Sequence, residues 1–187
     1  MLASVCAFRK IVRLYRMKCR FFRQLLFVAG ILALLTACAA QPAGPTGPGL
    51  ALIADADSVP VGQSFRVSLQ AENIGGLIAA EAHLSFDPKT LEVVAVQEGD
   101  FVRPDFVVQN AFDNAAGTVD YAVAQINRPA AEGSGVLLTV EFRAKAAGTT
   151  YIRFRSIPAV PTGALLADSD GNAISIVLDE AIVKIAP

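Results

Sequence analysis

The chain has 187 residues, more than half of them hydrophobic, with no Trp, three Cys and one His, and a formal net charge of −1. That length suits one domain with its own core. The near-neutral charge hides a split: seven Lys or Arg and no acid precede Cys38, whereas the remainder carries 9 basic and 17 acidic residues. An acidic body excludes nucleic-acid binding, which requires clustered cations.

The N-terminal segment explains the split. Lys18, Arg20 and Arg23 precede the apolar run Leu25 to Leu35, which is too short to span a bilayer comfortably and has the length of a signal-peptide core. It closes in Leu35-Thr36-Ala37-Cys38, which resembles the bacterial lipobox. The resemblance implies removal of residues 1–37 and lipidation of Cys38. A start at Met17 gives a leader of ordinary length. With Cys6 and Cys19 in the leader and Cys38 lipidated, the body holds no disulfide and no Cys metal site. Residues 38–49 then read as a lipidated cysteine and a Pro/Gly tether, and residues 50–187 as the folded body. The expectation is an exported protein held to the bacterial envelope by lipid.

From Leu50 onward the pattern has period 2. Phe65, Val67 and Leu69 alternate with polar residues, then Ala80, Ala82, Leu84 and Phe86 alternate with Glu81, His83 and Ser85. Asp87-Pro88 ends that strand, since proline lacks the ladder donor and restrains the residue before it. Leu91 to Gln97 is more uniformly apolar and reads as a strand buried on both faces. Phe106 to Phe112, Val119 to Val123, Leu138 to Phe142 and Tyr151 to Arg155 follow, and Ala164 to Ile185 reads as a hairpin around Ser169-Asp170-Gly171-Asn172 with a closing strand. The reading is about nine strands without a crossover helix, hence an all-β antiparallel sandwich and no parallel sheet.

An ordered series of features resembles the cohesin domain. It comprises Pro60-Val61-Gly62 before Phe65-x-Val67, Asn73-x-Gly75-Gly76, Leu84-x-Phe86-Asp87-Pro88-x-x-Leu91 with Gly99, and Phe112-Asp113 before Tyr121. It continues with Gly135 before Leu138-x-Val140-x-Phe142, and Gly148-Thr149-x-x-Ile152. The resemblance runs from about Leu50 to Ile185. It implies a nine-stranded jelly roll related to cellulose-binding modules. It also implies a non-catalytic module that binds a calcium-loaded dockerin on a partner protein, often one that degrades polysaccharide. Any calcium belongs to that partner, and no cofactor is expected here. In such domains the partner packs across strands three, five and six. Carried over by position, Glu81 falls where a recognition carboxylate is common and Gln125 where another polar contact is. His83 and Asn127 are further polar candidates for partner binding, and Ala79 departs from a commonly placed Asn.

Other chemistries are weighed against this. His83 and Ser85 share a strand face, but no nucleophile elbow accompanies them, and a mid-strand histidine of this phase reads as an outward surface residue. Paired carboxylates are available in number, but glycosidases of this architecture line their clefts with aromatic rings, and the body has only Tyr121 and Tyr151 beside its phenylalanines. A sugar platform needs exposed rings, for which Tyr151, Phe101 and Phe106 are the candidates. Asp168-x-Asp170-Gly171-Asn172 imitates the start of a calcium loop but lacks the distal glutamate, and Asp-Gly between apolar runs is also a hairpin turn. The alternatives to docking are therefore a carbohydrate-binding module of related fold and a structural surface domain without a dockerin partner.

Overall fold

The computed structural model describes residues 47–187; the expected leader, Cys38 and most of the tether lie outside the described residues. The described residues form eleven strands: β1 (Gly49–Ala54), β2 (Ser58–Pro60), β3 (Ser64–Ser85), β4 (Leu91–Glu98), β5 (Phe106–Asp113), β6 (Thr118–Ala124), β7 (Ala131–Ala144), β8 (Gly148–Phe154), β9 (Ala164–Asp168), β10 (Val177–Asp179) and β11 (Ala181–Ala186). No helix occurs among the described residues, and the class is all-β as expected.

The strands form two layers that share β3. Its first half lies between β1 and β7, with β10 outside β1 and β4 outside β7. Its second half lies between β6 and β9, with β5 outside β6; its last two residues meet β8, which leads on to β11 and β2. Asn73-x-Gly75-Gly76 stands between two alternating runs that the sequence presents separately. The structure instead carries one 22-residue strand through it. Asn73 and Gly76 take φ of 52° and 70°, and the register to β7 slips on either side of Ile74. The left-handed residues turn the ribbon from one layer to the other without ending it.

Alternation along each strand fills the space between the layers. Phe65, Val67 and Leu69 from one half of β3 and Ala80, Ala82 and Leu84 from the other join Val119, Tyr121 and Val123 of β6 and Leu138, Val140 and Phe142 of β7 in a single core. Phe142 is wholly buried, with its ring 5.8 Å from that of Phe65 and 5.3 Å from that of Phe86, the latter edge-on. Such pairs stabilise by about 0.5–1.5 kcal/mol beyond their area. Burial also raises the Tyr121 hydroxyl above its ordinary range, an effect that the nearby Glu98 carboxylate reinforces.

Three expectations are corrected. β4 is not buried on both faces: only Leu91 and Val93 are, Val94 is exposed, and a bulge between Val93 and Ala95 changes the phase. Parallel pairing does occur, in two short ladders, β1 with β10 and β11 with β2; the paired strands come from opposite ends of the described chain and are joined through the intervening strands, so no crossover helix is needed. The hairpin around Ser169 to Asn172 shrinks to one bridge, Ala167 to Ala173, because the chain then leaves β9 to pair β10 with β1.

The Asp87-Pro88 corner forms as the sequence indicates. The Asp87 carboxylate accepts the Lys89 N–H at 2.9 Å, and its carbonyl accepts those of Thr90 and Leu91. Leu91 then enters the core. Gly117, at φ 70°, backs this corner: its carbonyl accepts the Phe86 N–H, and a Cβ there would stand 2.3 Å from the Phe86 carbonyl oxygen and 2.8 Å from Pro88 Cδ. Gly117→Ala is expected to destabilise the domain by about 1–3 kcal/mol, read as a lower urea midpoint at unchanged slope.

Candidate functional site

The outer face of the β5–β6–β3–β9 sheet carries the side chains that alternate with the core set. Cross-strand register arranges them in rows. Phe106, Ala124, Ala79 and Ala167 lie side by side, then Gln109, Ala122, Glu81 and Leu165, then Ala111, Asp120 and His83, then Asp113, Thr118, Ser85 and Arg153. Ala79, Ala122, Ala124 and Ala167 make a low, flat floor. Phe106, 52% exposed, stands on one side of it and Leu165, 40% exposed, on the other.

A charged row borders the floor. His83 Nδ1 lies 2.6 Å from Asp120 Oδ1, and His83 Nε2 lies 2.8 Å from Glu81 Oε1. Arg155, just past β8, donates from Nη2 to the same Asp120 oxygen at 2.6 Å, while its Nε is buried without a partner. His83 is only 4% exposed, which corrects the expected outward surface histidine: Glu81, Asp120 and Arg155 close over it. Both ring nitrogens are engaged by carboxylates, so the imidazole has none left to activate Ser85. Glu81, His83 and Asp120 bond to one another instead of converging on a point, and among the described residues no cluster is arranged to hold a metal ion.

Gln125 is also not a surface contact. It is 4% exposed and acts as an internal clamp: its Oε1 accepts the Arg103 N–H at 2.9 Å, its Nε2 donates to the Pro129 carbonyl at 2.7 Å, and its own N–H reaches the Ile78 carbonyl. The side chain falls on the inward phase of β6, one step past Val123, which is why it cannot face a partner. Asn127 lies beside the exposed Ile126 in the following loop. The backbone N–H groups of Asn127 and Ile126 both donate to Asp105 Oδ2, and these bonds, Asn127's foremost, hold the Asp105 carboxyl below its usual range with help from Arg128. Thus Glu81 and Asn127 stay at the surface among the sequence candidates, whereas Asp120, Arg155, Leu165 and the alanine floor emerge only from the register.

The other candidate chemistries take definite places. Tyr151 is exposed, but the Arg153 guanidinium lies over its ring 4.4 Å from the centroid, occupying one stacking face. Asp168 Oδ1 accepts the Asp170 and Asn172 N–H groups at 3.0 and 2.8 Å, so the Asp168, Asp170, Asn172 stretch forms a closed turn with Gly171 at φ 79°. Those bonds, Asn172's first, lower the Asp168 pKa.

Comparison with known proteins follows the fold. The family model of the cohesin domain matches residues 50–175. Cellulose-binding protein A of Clostridium cellulovorans is 27% identical over 112 residues, 58% of this chain but 6% of the length of that protein. Among solved structures, a type II cohesin in a cohesin–X-dockerin complex from Acetivibrio cellulolyticus superposes with a TM-score of 0.62 at 17% identity, covering 74% of this chain and 99% of that one. A non-cellulosomal cohesin from the archaeon Archaeoglobus fulgidus gives 0.59 at 19% identity, covering 75% and 92%. At such identities the structural likeness is one of fold.

Two outcomes are expected from this geometry. Gln125→Ala strands the Arg103 N–H and the Pro129 carbonyl and should cost about 1–3 kcal/mol in chemical unfolding, acting on stability and not as a lost contact. Asp105, Asp113 and Asp168 all have pKa values lowered in the fold, Asp113 by the Ala116 and Ala115 N–H groups. Their contribution is therefore present above the unfolded carboxylate range and disappears as pH falls through the lower folded values. Melting temperature against pH should drop on that acid limb, and Asp105→Asn should make the drop shallower.

Proposed function

The chain belongs to the cohesin family, whose domains are non-catalytic docking modules that bind dockerins, and from that premise we propose that its outer β5–β6–β3–β9 face receives a calcium-loaded dockerin on a partner protein. The observation that carries the reading is the alanine floor between Phe106 and Leu165 with Glu81 at its border. Small side chains on a hydrogen-bonded sheet let a partner's apolar surface approach closely and lose little order on contact. Glu81 supplies a half-exposed carboxylate for a partner's cation. The calcium belongs to the dockerin. The same proposal places the domain outside the cytoplasm, with Cys38 lipidated and the Pro/Gly segment as tether; the basic leader, the short apolar run and the lipobox support it. Stable anchorage requires more than one acyl chain on that cysteine. Polysaccharide degradation would be the partner's chemistry.

A second reading, docking in a role unconnected with polysaccharide, is favoured by Ala79, which departs from a commonly placed Asn, and by the fold shared with the non-cellulosomal archaeal cohesin.

Residues 47–187, which hold the core described above, can be immobilised and offered a panel of dockerin modules with calcium and then with chelator. Retention that chelator reverses is the expected result. Ala122→Arg, which raises a long cation from the middle of the floor, should weaken that binding roughly tenfold or more while melting is unchanged. Equal binding by the variant would move the site off this face, and the absence of any calcium-dependent dockerin binding would remove the docking reading.

A further inference from the structure

The charged row does more than decorate the docking face. Resting on the docking reading above, we infer that His83 is a positioning residue whose proton decides whether Glu81 is available to the partner.

Each ring nitrogen of His83 faces a carboxylate oxygen, at 2.6 Å for Asp120 and 2.8 Å for Glu81. With both carboxylates ionised, both contacts are hydrogen bonds only when both nitrogens carry protons, because a neutral imidazole has one donor and one acceptor. Loss of one proton leaves a lone pair pointing at a carboxylate, and one of the two contacts must open. The environment selects which. Asp120 is the less exposed of the pair, its side chain 20% accessible, and Arg155 grips the same oxygen at 2.6 Å. Glu81 is 34% accessible, and its described bond is the one to His83. Deprotonation therefore releases Glu81 and keeps Asp120 in place.

The charged groups around the ring are few. Glu81 comes from β3, Asp120 from β6 and Arg155 from the segment after β8; the stretch leading into β9 brings backbone, with the His83 N–H donating to the Gly163 carbonyl and the Arg155 N–H to the His83 carbonyl. Arg153, one row away, pairs with Glu180. With the imidazolium, Glu81, His83, Asp120 and Arg155 sum to zero. Without its proton the row carries −1, and the charge sits on the carboxylate nearest the alanine floor. A partner cation meets a neutral patch when both ring nitrogens of His83 carry protons and an anionic one when one of them has lost its proton. Docking should strengthen as rising pH removes that proton.

His83 is the chain's one histidine, so no other imidazole contributes to the response. On the free domain, NMR of the Glu81 side chain should show one ordered conformation near pH 5 and rotameric averaging near pH 8, with the change following the single imidazole resonance. In His83→Gln the Glu81 signals should not follow pH in that interval. With a dockerin module that binds in the panel, affinity should rise roughly two- to fivefold between those pH values, the range of one exposed ion pair, and His83→Gln should remove that increment. Glu81 signals indifferent to the imidazole overturn the inference without reference to any partner. Binding of equal strength at both pH values, or a pH dependence that survives in His83→Gln, overturns it while docking stands. Failure of every module to bind at either pH removes the docking reading itself.

Discussion

The structure depends on β3 staying a strand while it changes layers. A 22-residue ribbon that pairs with β1 and β7 over its first half and with β6 and β9 over its second fixes both sheets at once. Its period-2 pattern must place Phe65, Val67 and Leu69, and later Ala80, Ala82 and Leu84, on the side facing the same core, although the ribbon turns between the two sets. A slip of one residue would exchange the buried and exposed sets. The left-handed Asn73 and Gly76 and the irregular register around Ile74 absorb the turn without such a slip. The outer β5–β6–β3–β9 face takes its layout from this constraint, since Ala79 and Glu81 take their positions from the strand that also builds the opposite layer.

The two parts of that face obey different physics. The alanine floor contributes little by itself; its use is geometric, because it removes side-chain bulk from a surface that the backbone ladder keeps rigid. His83 is enclosed within the charged row, and enclosure of charge is costly unless every partner is supplied. Here the supply is almost complete: Asp120 is met by His83 and Arg155, and His83 by two carboxylates, with Arg155 Nε the exception. Glu81 is the most exposed member of this network, and it borders the floor.

Much of the architecture is legible in the residues. Strict alternation identified the buried set of β3, β6, β7 and β8, and Asp87-Pro88 located its corner. The misreadings share a cause. Between the two alternating runs Asn73, Gly75 and Gly76 interrupt the pattern, and only the pairing on both sides shows that one ribbon runs through them. The phase of β3 correctly pointed His83 away from the core, but burial from the outside is made by Asp120 on another strand and Arg155 beyond β8, and cross-strand register has no local signal. Gln125 kept its polar character in view, while its inward phase, one step beyond Val123, was the evidence that it serves the fold.

The pairing of the outermost strands bears on how the domain would carry load. Gly49, at the start of β1, lies beside Glu72, where β3 changes layers; Ala186, at the end of β11, lies beside Pro60 and Val61, near the opposite end where β3 begins. Tension applied between these two points runs along the strands. It would pull β1 lengthwise against β3 on one side and β10 on the other, and β11 lengthwise against β8 and β2. Hydrogen bonds loaded this way share the force and must yield together, whereas bonds peeled from an end yield one at a time. The two short parallel ladders thus stand where they would resist traction applied between Gly49 and Ala186.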